Sequence, residues 1–379
     1  MSKEYDLLLG NNLEILGQLE PKSVHTAITS PPYFPSIRDY GAKPTLWFDG
    51  WTGCLGNETD PQKYCEHLVD IFRSLKRALR DDGTLWVNIG DSFAKNNKFR
   101  EFGIKQKDIF GIPWMFAFAM RTDGWYLRND HIWNKPDCMP DSAQDRFVRS
   151  HEYLFQFAKT DKYYFDHQAV REPASDVSLK RIAQKNFANQ KGGEKDYGKT
   201  GVNKSRSARK AIENFARNPG RNKRTVWNIP TARLKENHFA AFPTKLPEIC
   251  LLASTSAKGC CTSCGSPWIR VVDKERIATR PALENKNDDS AKANRDPQRH
   301  ITIMNTAGWK PSCDCNIEDV QPCTVLDPFN GAGSTGVAAV AAGRRYIGIE
   351  LVPEYVDISK RRIDKALKLK SMELFDMAL

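Results

Sequence analysis

Apolar residues along this chain recur with two periods, and the switches between them mark out its elements. Residues 6–10 and Val24–Thr29 read as short strands, the second running into Pro31-Pro32. From Pro61 onward, Tyr64, Leu68, Ile71, Phe72, Leu75, Ala78 and Leu79 return to one face at helical spacing. A proline in the first turn suits that start, and Asp81-Asp82-Gly83 supplies the expected glycine stop. Residues 84–89 (TLWVNI) then predict a buried strand, 112–121 a helix, and 125–133 and 152–158 two more strands. After a long gap the rhythm resumes with a strand at 324–326, a helix from Ser334, a strand at 346–350 and a last helix from Pro353. Strands alternating with helices predict an α/β fold built on a doubly wound, mostly parallel sheet.

The gap consists of two excursions, at about 174–225 and about 259–323, the second with a polar middle at 285–300. On sequence the chain divides into a first core half at 1–173, a basic insert at 174–233, a return to the core at 234–258, a cysteine-rich insert at 259–323 and a second core half at 324–379. Charge sharpens the first excursion. Between Lys180 and Arg224 stand 14 Lys and Arg against Glu194, Asp196 and Glu213, an excess equal to the +11 of the whole chain. Such a run, interleaved with Phe187, Tyr197 and Phe215, reads either as a solvated loop or as a segment that orders on a phosphate backbone and releases its counterions. At 379 residues and 40% hydrophobic composition the chain can bury a full core, and no apolar run approaches the roughly 20 residues of a membrane span. Met1-Ser2-Lys3-Glu4-Tyr5 lacks the basic-then-apolar layout of a signal peptide. The expectation is a soluble cytoplasmic protein with no membrane partner.

Two short motifs carry candidate chemistry. Asp327-Pro328-Phe329-Asn330-Gly331-Ala332-Gly333-Ser334-Thr335-Gly336 lies between an apolar strand and a helix. Glycines at such a turn let backbone N–H groups approach a ligand, and a helix N-terminus favours negative charge. A carboxylate at the strand end, Asp327, suits an ammonium; Glu350, ending the next strand, suits the two hydroxyls of a ribose. Amine, carboxylate and ribose together describe an adenosyl amino acid better than a dinucleotide. The second motif, Thr29-Ser30-Pro31-Pro32-Tyr33, follows the strand Val24–Thr29. Two prolines stiffen the turn and remove donors, leaving carbonyls to accept, and the aromatic residue after them can stack on a planar base. Ser30 Oγ and a rigid carbonyl accepting the N–H bonds of a nucleobase amino group would make its nitrogen more tetrahedral and nucleophilic. By itself, Pro-Pro-Tyr reads equally as a surface turn or a polyproline ligand.

Together, and in this order, the two motifs resemble the exocyclic-amino DNA methyltransferases of bacteria and phages. The catalytic loop coming first and the cofactor turn last resembles the circularly permuted, beta-type arrangement of that family. The likeness extends to stretches at 81–83, 132–136, 238–243 and 347–350, and so to most of the chain outside the excursions. It implies a Rossmann-like class I methyltransferase fold with inserted target-recognition and cysteine-rich segments. It implies S-adenosylmethionine as cofactor and double-stranded DNA as partner, either in a restriction-modification system beside a cognate restriction endonuclease or in a phage/host modification role. By resemblance, Ser30, Pro31, Pro32 and Tyr33 hold and stack a flipped base. Asp327, Pro328, Phe329, Gly331 and Gly333 meet the methionine part of the cofactor, Glu350 its ribose, and Phe242, in the stretch 238–246, completes the pocket. The opening strand ends Gly10-Asn11-Asn12, where relatives commonly show Gly-Asp; an Asn there, with Asn12 as the cofactor-binding candidate, can still hydrogen-bond an adenine edge.

Ser rather than Asp before Pro-Pro-Tyr favours, by resemblance, cytosine N4 over adenine N6. Carbon-5 methylation would need a cysteine nucleophile, and the one Pro-Cys pair, Pro322-Cys323, sits beside the cofactor strand, far from the loop. A non-catalytic DNA-binding or anti-restriction protein, and a methyltransferase acting on RNA or protein amines, are the rival readings. Cys261-x-x-Cys264-Gly265 and Cys313-x-Cys315 have the composition of a structural four-sulfur zinc site, with Cys260 and Cys323 as competing ligands. The alternative is a set of buried free thiols.

Overall fold

The computed structural model describes residues 3–35, 41–173, 221–232, 241–278 and 300–376. Most of the basic run, with Phe187, Tyr197 and Phe215, lies outside the described residues, as do 238–240. Among the described residues eight strands form the main sheet: β1 (Tyr5–Leu9), β2 (Val24–Thr29), β3 (Leu79–Ile89), β4 (Tyr126–Asn134), β5 (His151–Ala158), β6 (Val226–Asn228), β7 (Thr324–Asp327) and β8 (Arg345–Glu350). Their order is β1-β8-β7-β2-β3-β5-β4-β6. Strands β1, β8, β7, β2 and β3 are mutually parallel, while β5 runs antiparallel between β3 and β4. The sheet is mostly parallel and flanked by helices, as expected. β2 is buried at all six positions, its polar His25, Thr26 and Thr29 included, as suits a strand covered by helices on both faces.

Helices α1 (Asn12–Gln18), α2 (Pro61–Ala78) and α3 (Ile112–Thr122) pack on one another; α4 (Lys245–Ser254), α5 (Ser334–Ala341) and α6 (Pro353–Asp376) form a second group. Successive strand residues face opposite ways, and the two groups use that alternation. Ala27, Leu85 and Val87 join the cluster built on α2 and α3, whereas Thr26 Oγ1 accepts a hydrogen bond from Ser254 Oγ of α4 at 3.0 Å. Asp60 caps α2, its carboxylate accepting Gln62 N–H at 2.7 Å, with Pro61 in the first turn.

The end of α2 differs from the sequence expectation. The helix stops at Ala78, with Leu79 already extended, and Asp81-Asp82-Gly83 belongs to β3. Gly83 is needed there for space rather than for a left-handed turn. A Cβ on it would lie 2.9 Å from His25 O and 2.8 Å from the Leu79 side chain.

The chain divides into two compact units: 1–166 with 224–268 and 311–379, and 167–223 with 269–310. The first contains the sheet. In the second, Ile269–Ala278 and His300–Lys310 pair as an antiparallel hairpin with an irregularity after Val271. Glu172 and Arg221 also exchange both backbone hydrogen bonds at 2.9 Å and form a 2.7 Å ion pair. Among the described residues no helix is long and apolar enough to cross a membrane.

Candidate active site

Parallel neighbours β2 and β7 end side by side, so the turns that follow them open at the same edge of the sheet. A cavity of about 850 Å3 lies there. Its wall includes Ser30, Pro31, Pro32 and Tyr33 from the first turn and Pro328, Phe329, Gly331 and Ser334 from the second. Glu350, Asn12 and Phe242 complete it on the second side. Residues about 300 positions apart in sequence thus share one space.

The 29–33 loop is fixed by a polar network. Tyr33 OH donates to Glu152 Oε2 at 2.7 Å and accepts from Asn88 Nδ2 at 2.7 Å and from Ser30 Oγ at 3.2 Å. Asn88 Nδ2 also reaches Glu152 Oε2 at 2.7 Å, and Lys135 forms an ion pair with the other carboxylate oxygen. Burial first, and the Glu152 carboxylate second, push the Tyr33 phenol well up, so it keeps its proton and remains a donor. Its ring lies against Gly90, where a Cβ would stand 2.6 Å from Cε2. The Pro32 carbonyl accepts a hydrogen bond from Tyr64 OH at 2.7 Å, which pins the turn to α2. Trp133, 4% exposed, lines the cavity with Lys135 Nζ 4.5 Å from its ring centroid.

The second turn is shaped by its glycines. Gly331 has φ +50° and Gly333 φ +73°, and a Cβ on Gly333 would lie 2.2 Å from Ser359 Oγ. Glu350 organises the turn by accepting Gly331 N–H at 2.7 Å through Oε2, and Leu351 and Val352 N–H at 2.9 and 3.0 Å through Oε1. No side chain caps the N-terminus of α5, and Ser334 Oγ is buried without a hydrogen-bond partner. Asn12 Nδ2 donates to Pro328 O at 3.3 Å.

Two sequence-selected residues sit behind the wall rather than in it. Gly333 shapes the turn from outside the lining. Asp327 is 1% exposed because the following turn folds back on it: Oδ1 accepts Thr29 Oγ1 at 2.5 Å and Phe329 N–H at 3.0 Å, while Oδ2 is buried with no hydrogen-bond partner. Asp327 Oδ1 thus ties the two motifs together. Burial pushes the Asp327 carboxyl up to about 6. Its folded value exceeds the ordinary 3.8, so its stabilising contribution is complete below about pH 4 and lost as pH rises through about 6. Relative to Asp327→Asn, the cofactor-free native chain should lose on the order of 3 kcal/mol of unfolding free energy between pH 4 and 7, measured by urea denaturation. Parallel pH profiles for the two proteins would contradict this.

With this geometry, comparison with known proteins is informative. The family model described as DNA methylase (N6_N4_Mtase) matches residues 24–261 and 320–361. The chain belongs to this family of DNA methylases. This methylase is 35% identical over 375 residues to the Type II methyltransferase M.Cfr9I of Citrobacter freundii, covering 94% of this chain and 87% of that protein. It is 32% identical over 375 residues to the Type II methyltransferase M.SmaI of Serratia marcescens, covering 94% and 90%. In fold it is similar to the cytosine-N4-specific PvuII DNA methyltransferase, with a TM-score of 0.53, 16% identity, and 98% and 93% of the two chains covered.

Sequence reasoning missed Asn88 and Glu152 in this methylase. Asn88 carried a signal, as the one amide in the apolar run 84–89. Glu152 carried none, because its role depends on β5 lying beside β3. The sulfurs of Cys261, Cys264, Cys313 and Cys315 do come together, all within 4.8 Å of one another, and none of these residues lines the cavity. Cys260 and Cys323 group instead with His25.

Proposed function

We propose that this chain transfers a methyl group from S-adenosylmethionine to the exocyclic N4 amino group of a flipped cytosine in double-stranded DNA, in a restriction-modification or phage/host modification role. The observation that carries the reading is the single cavity shared by the 30–33 loop and the glycine turn with Glu350. The residues present fit the cofactor. Glu350 offers a carboxylate to a ribose, Phe329 and Phe242 offer apolar walls, and the uncapped N-terminus of α5 with the unpartnered Ser334 Oγ offers donors to a carboxylate. When bound, S-adenosylmethionine supplies an electrophilic methyl group on a sulfonium.

The chain's own work is positioning. Ser30 Oγ–H is turned toward Tyr33, so an oxygen lone pair is left to accept an N–H from a base amino group. Asn88, Glu152 and Lys135 hold the phenol that sets this direction. Preorganised acceptors in a partly desolvated cavity favour the tetrahedral nitrogen of the transition state over the planar ground state. A paired base cannot reach this cavity without leaving the stack. On the loop beyond Asp137, Met139 is 84% and Phe147 98% exposed, while the loop is anchored by Asp141–Arg146 at 2.7 Å and Lys107–Asp145 at 2.6 Å. Met139 also lines the cavity, and with Phe147 it offers exposed apolar side chains that could fill the gap left by a flipped base. Phe147→Ala should slow transfer into a paired target about tenfold, and less into a mismatched target that is already unstacked. Equal effects on both substrates would remove Phe147 from this role.

The deciding experiment is nucleoside mass spectrometry of duplex DNA treated with the protein and S-adenosylmethionine. N4-methylcytosine is the expected product. N6-methyladenine would overturn the choice of base, methyl transfer only to RNA or protein the choice of substrate, and an absence of cofactor binding by calorimetry the enzymatic reading itself. The serine in place of aspartate at position 30 favours cytosine.

A further inference from the structure

Four thiols with no acid or imidazole among them lie in the sheet-bearing unit, outside the cavity. Cys261 is buried, Cys313 and Cys315 are half-buried, and Cys264 is exposed. Their Sγ atoms lie within 4.8 Å of one another. A tetrahedral zinc with Zn–S bonds of about 2.3 Å sets its sulfurs roughly 3.8 Å apart, so closing on a metal takes a contraction of about 1 Å or less. The backbone is already bent for this. Gly265 adopts φ +70°, its N–H donates to Cys261 O at 2.9 Å, and Cys261 N–H donates to Ser266 O at 2.9 Å. The opposite limb is held against the knuckle independently: Cys260–Cys261 pairs with Val320–Gln321, and Ser312 Oγ donates to Pro267 O at 2.6 Å. Soft thiolates alone disfavour magnesium or calcium and suit zinc.

The neighbouring His25–Cys260–Cys323 group is also compact, but its imidazole is committed. Thr324 N–H donates to His25 Nδ1 at 3.0 Å, and His25 Nε2 lies 2.9 Å from Gly265 O, a contact that requires Nε2 to carry the proton. With both ring nitrogens engaged, no histidine ligand is left, and the cluster is a packing contact. We propose that Cys261, Cys264, Cys313 and Cys315 bind one structural Zn2+, and that His25 couples this knuckle to the sheet. His25 lies on β2, Gly265 on the knuckle and Thr324 at the start of β7, so one imidazole touches the roots of the two strands whose far ends carry Ser30 and the glycine turn. Four thiolates leave no open coordination position, so the metal is architectural.

The proposal is independent of the methyl-transfer reading and is tested without an activity assay. Elemental analysis of the full chain, purified without chelator, should give one zinc per chain. Exchange with Co2+ should produce the visible bands of a tetrahedral thiolate site. Cys313→Ser with Cys315→Ser should lose the metal, whereas Cys260→Ser with Cys323→Ser should keep it. Because the first variant could fail to fold, native-state alkylation of the unaltered chain is the second measurement. The four cysteines should be protected until zinc is chelated, then react together. Absence of zinc with free alkylation of all four overturns the proposal, and so does metal loss confined to the Cys260/Cys323 variant.

Discussion

Ser30→Ala should lower the rate of methyl transfer to duplex DNA by about 100- to 1,000-fold, the range for loss of one preorganised polar contact to a transition state, while affinity for S-adenosylmethionine stays within a factor of two or so. The substitution removes the Ser30 hydroxyl from the cavity wall and leaves Tyr33 held by Asn88 at 2.7 Å and Glu152 at 2.7 Å. Loop geometry should therefore survive, which makes the variant a test of chemistry rather than of folding. Single-turnover transfer of a labelled methyl group, paired with calorimetry on the cofactor, separates the two. An unchanged transfer rate would end the assignment of Ser30 to the amino group.

Glu350→Ala should fail at the preceding step. Three backbone N–H groups converge on this one carboxylate, at 2.7, 2.9 and 3.0 Å. Its removal should both loosen the glycine turn and delete the carboxylate proposed to accept the ribose hydroxyls. Hydrogen bonds to a charged group contribute about 1.5–3 kcal/mol each. Losing even the ligand-facing share predicts at least a tenfold, and up to about hundredfold, weaker cofactor affinity. Calorimetry would show it directly, and the transfer rate at saturating cofactor should recover much of its native value. Native affinity in Glu350→Ala would separate the turn from cofactor binding.

How much of this could be read in the sequence depends on whether a feature is local. The helices of the core were legible because one-sided burial imposes a period, as in α2, which repeats its apolar face over five turns. The two turns were legible because proline and glycine announce backbone geometry. The stop of α2 was misplaced because Gly83 answers to a neighbouring strand, not to its own helix. α4 was missed since it is buried on nearly every side, with Leu246, Ile249, Cys250 and Leu251 all inside, and so shows little amphipathic contrast. The cover over Asp327 was not legible, because a sequence shows that a carboxylate ends a strand, not that the next turn folds over it. The Tyr33–Asn88–Glu152 network depends on register: Asn88 pairs with Leu154 across β3 and β5, and nothing within either segment specifies that alignment.

The strand order has a consequence for how the chain is made. β1, at the start, pairs in the sheet with β8 alone, and β2 meets β7 and β3. During synthesis, the first two strands wait through some 300 residues before their central partners leave the ribosome. Such long sequence separation implies slow assembly and a nascent chain whose apolar strands are open to chaperones. It also means that a release just before β7 yields a polypeptide that keeps β2, β3 and the 29–33 loop but lacks the glycine turn and Glu350 that form the other wall of the cavity. Premature termination should therefore produce degradable fragments rather than a partly active protein.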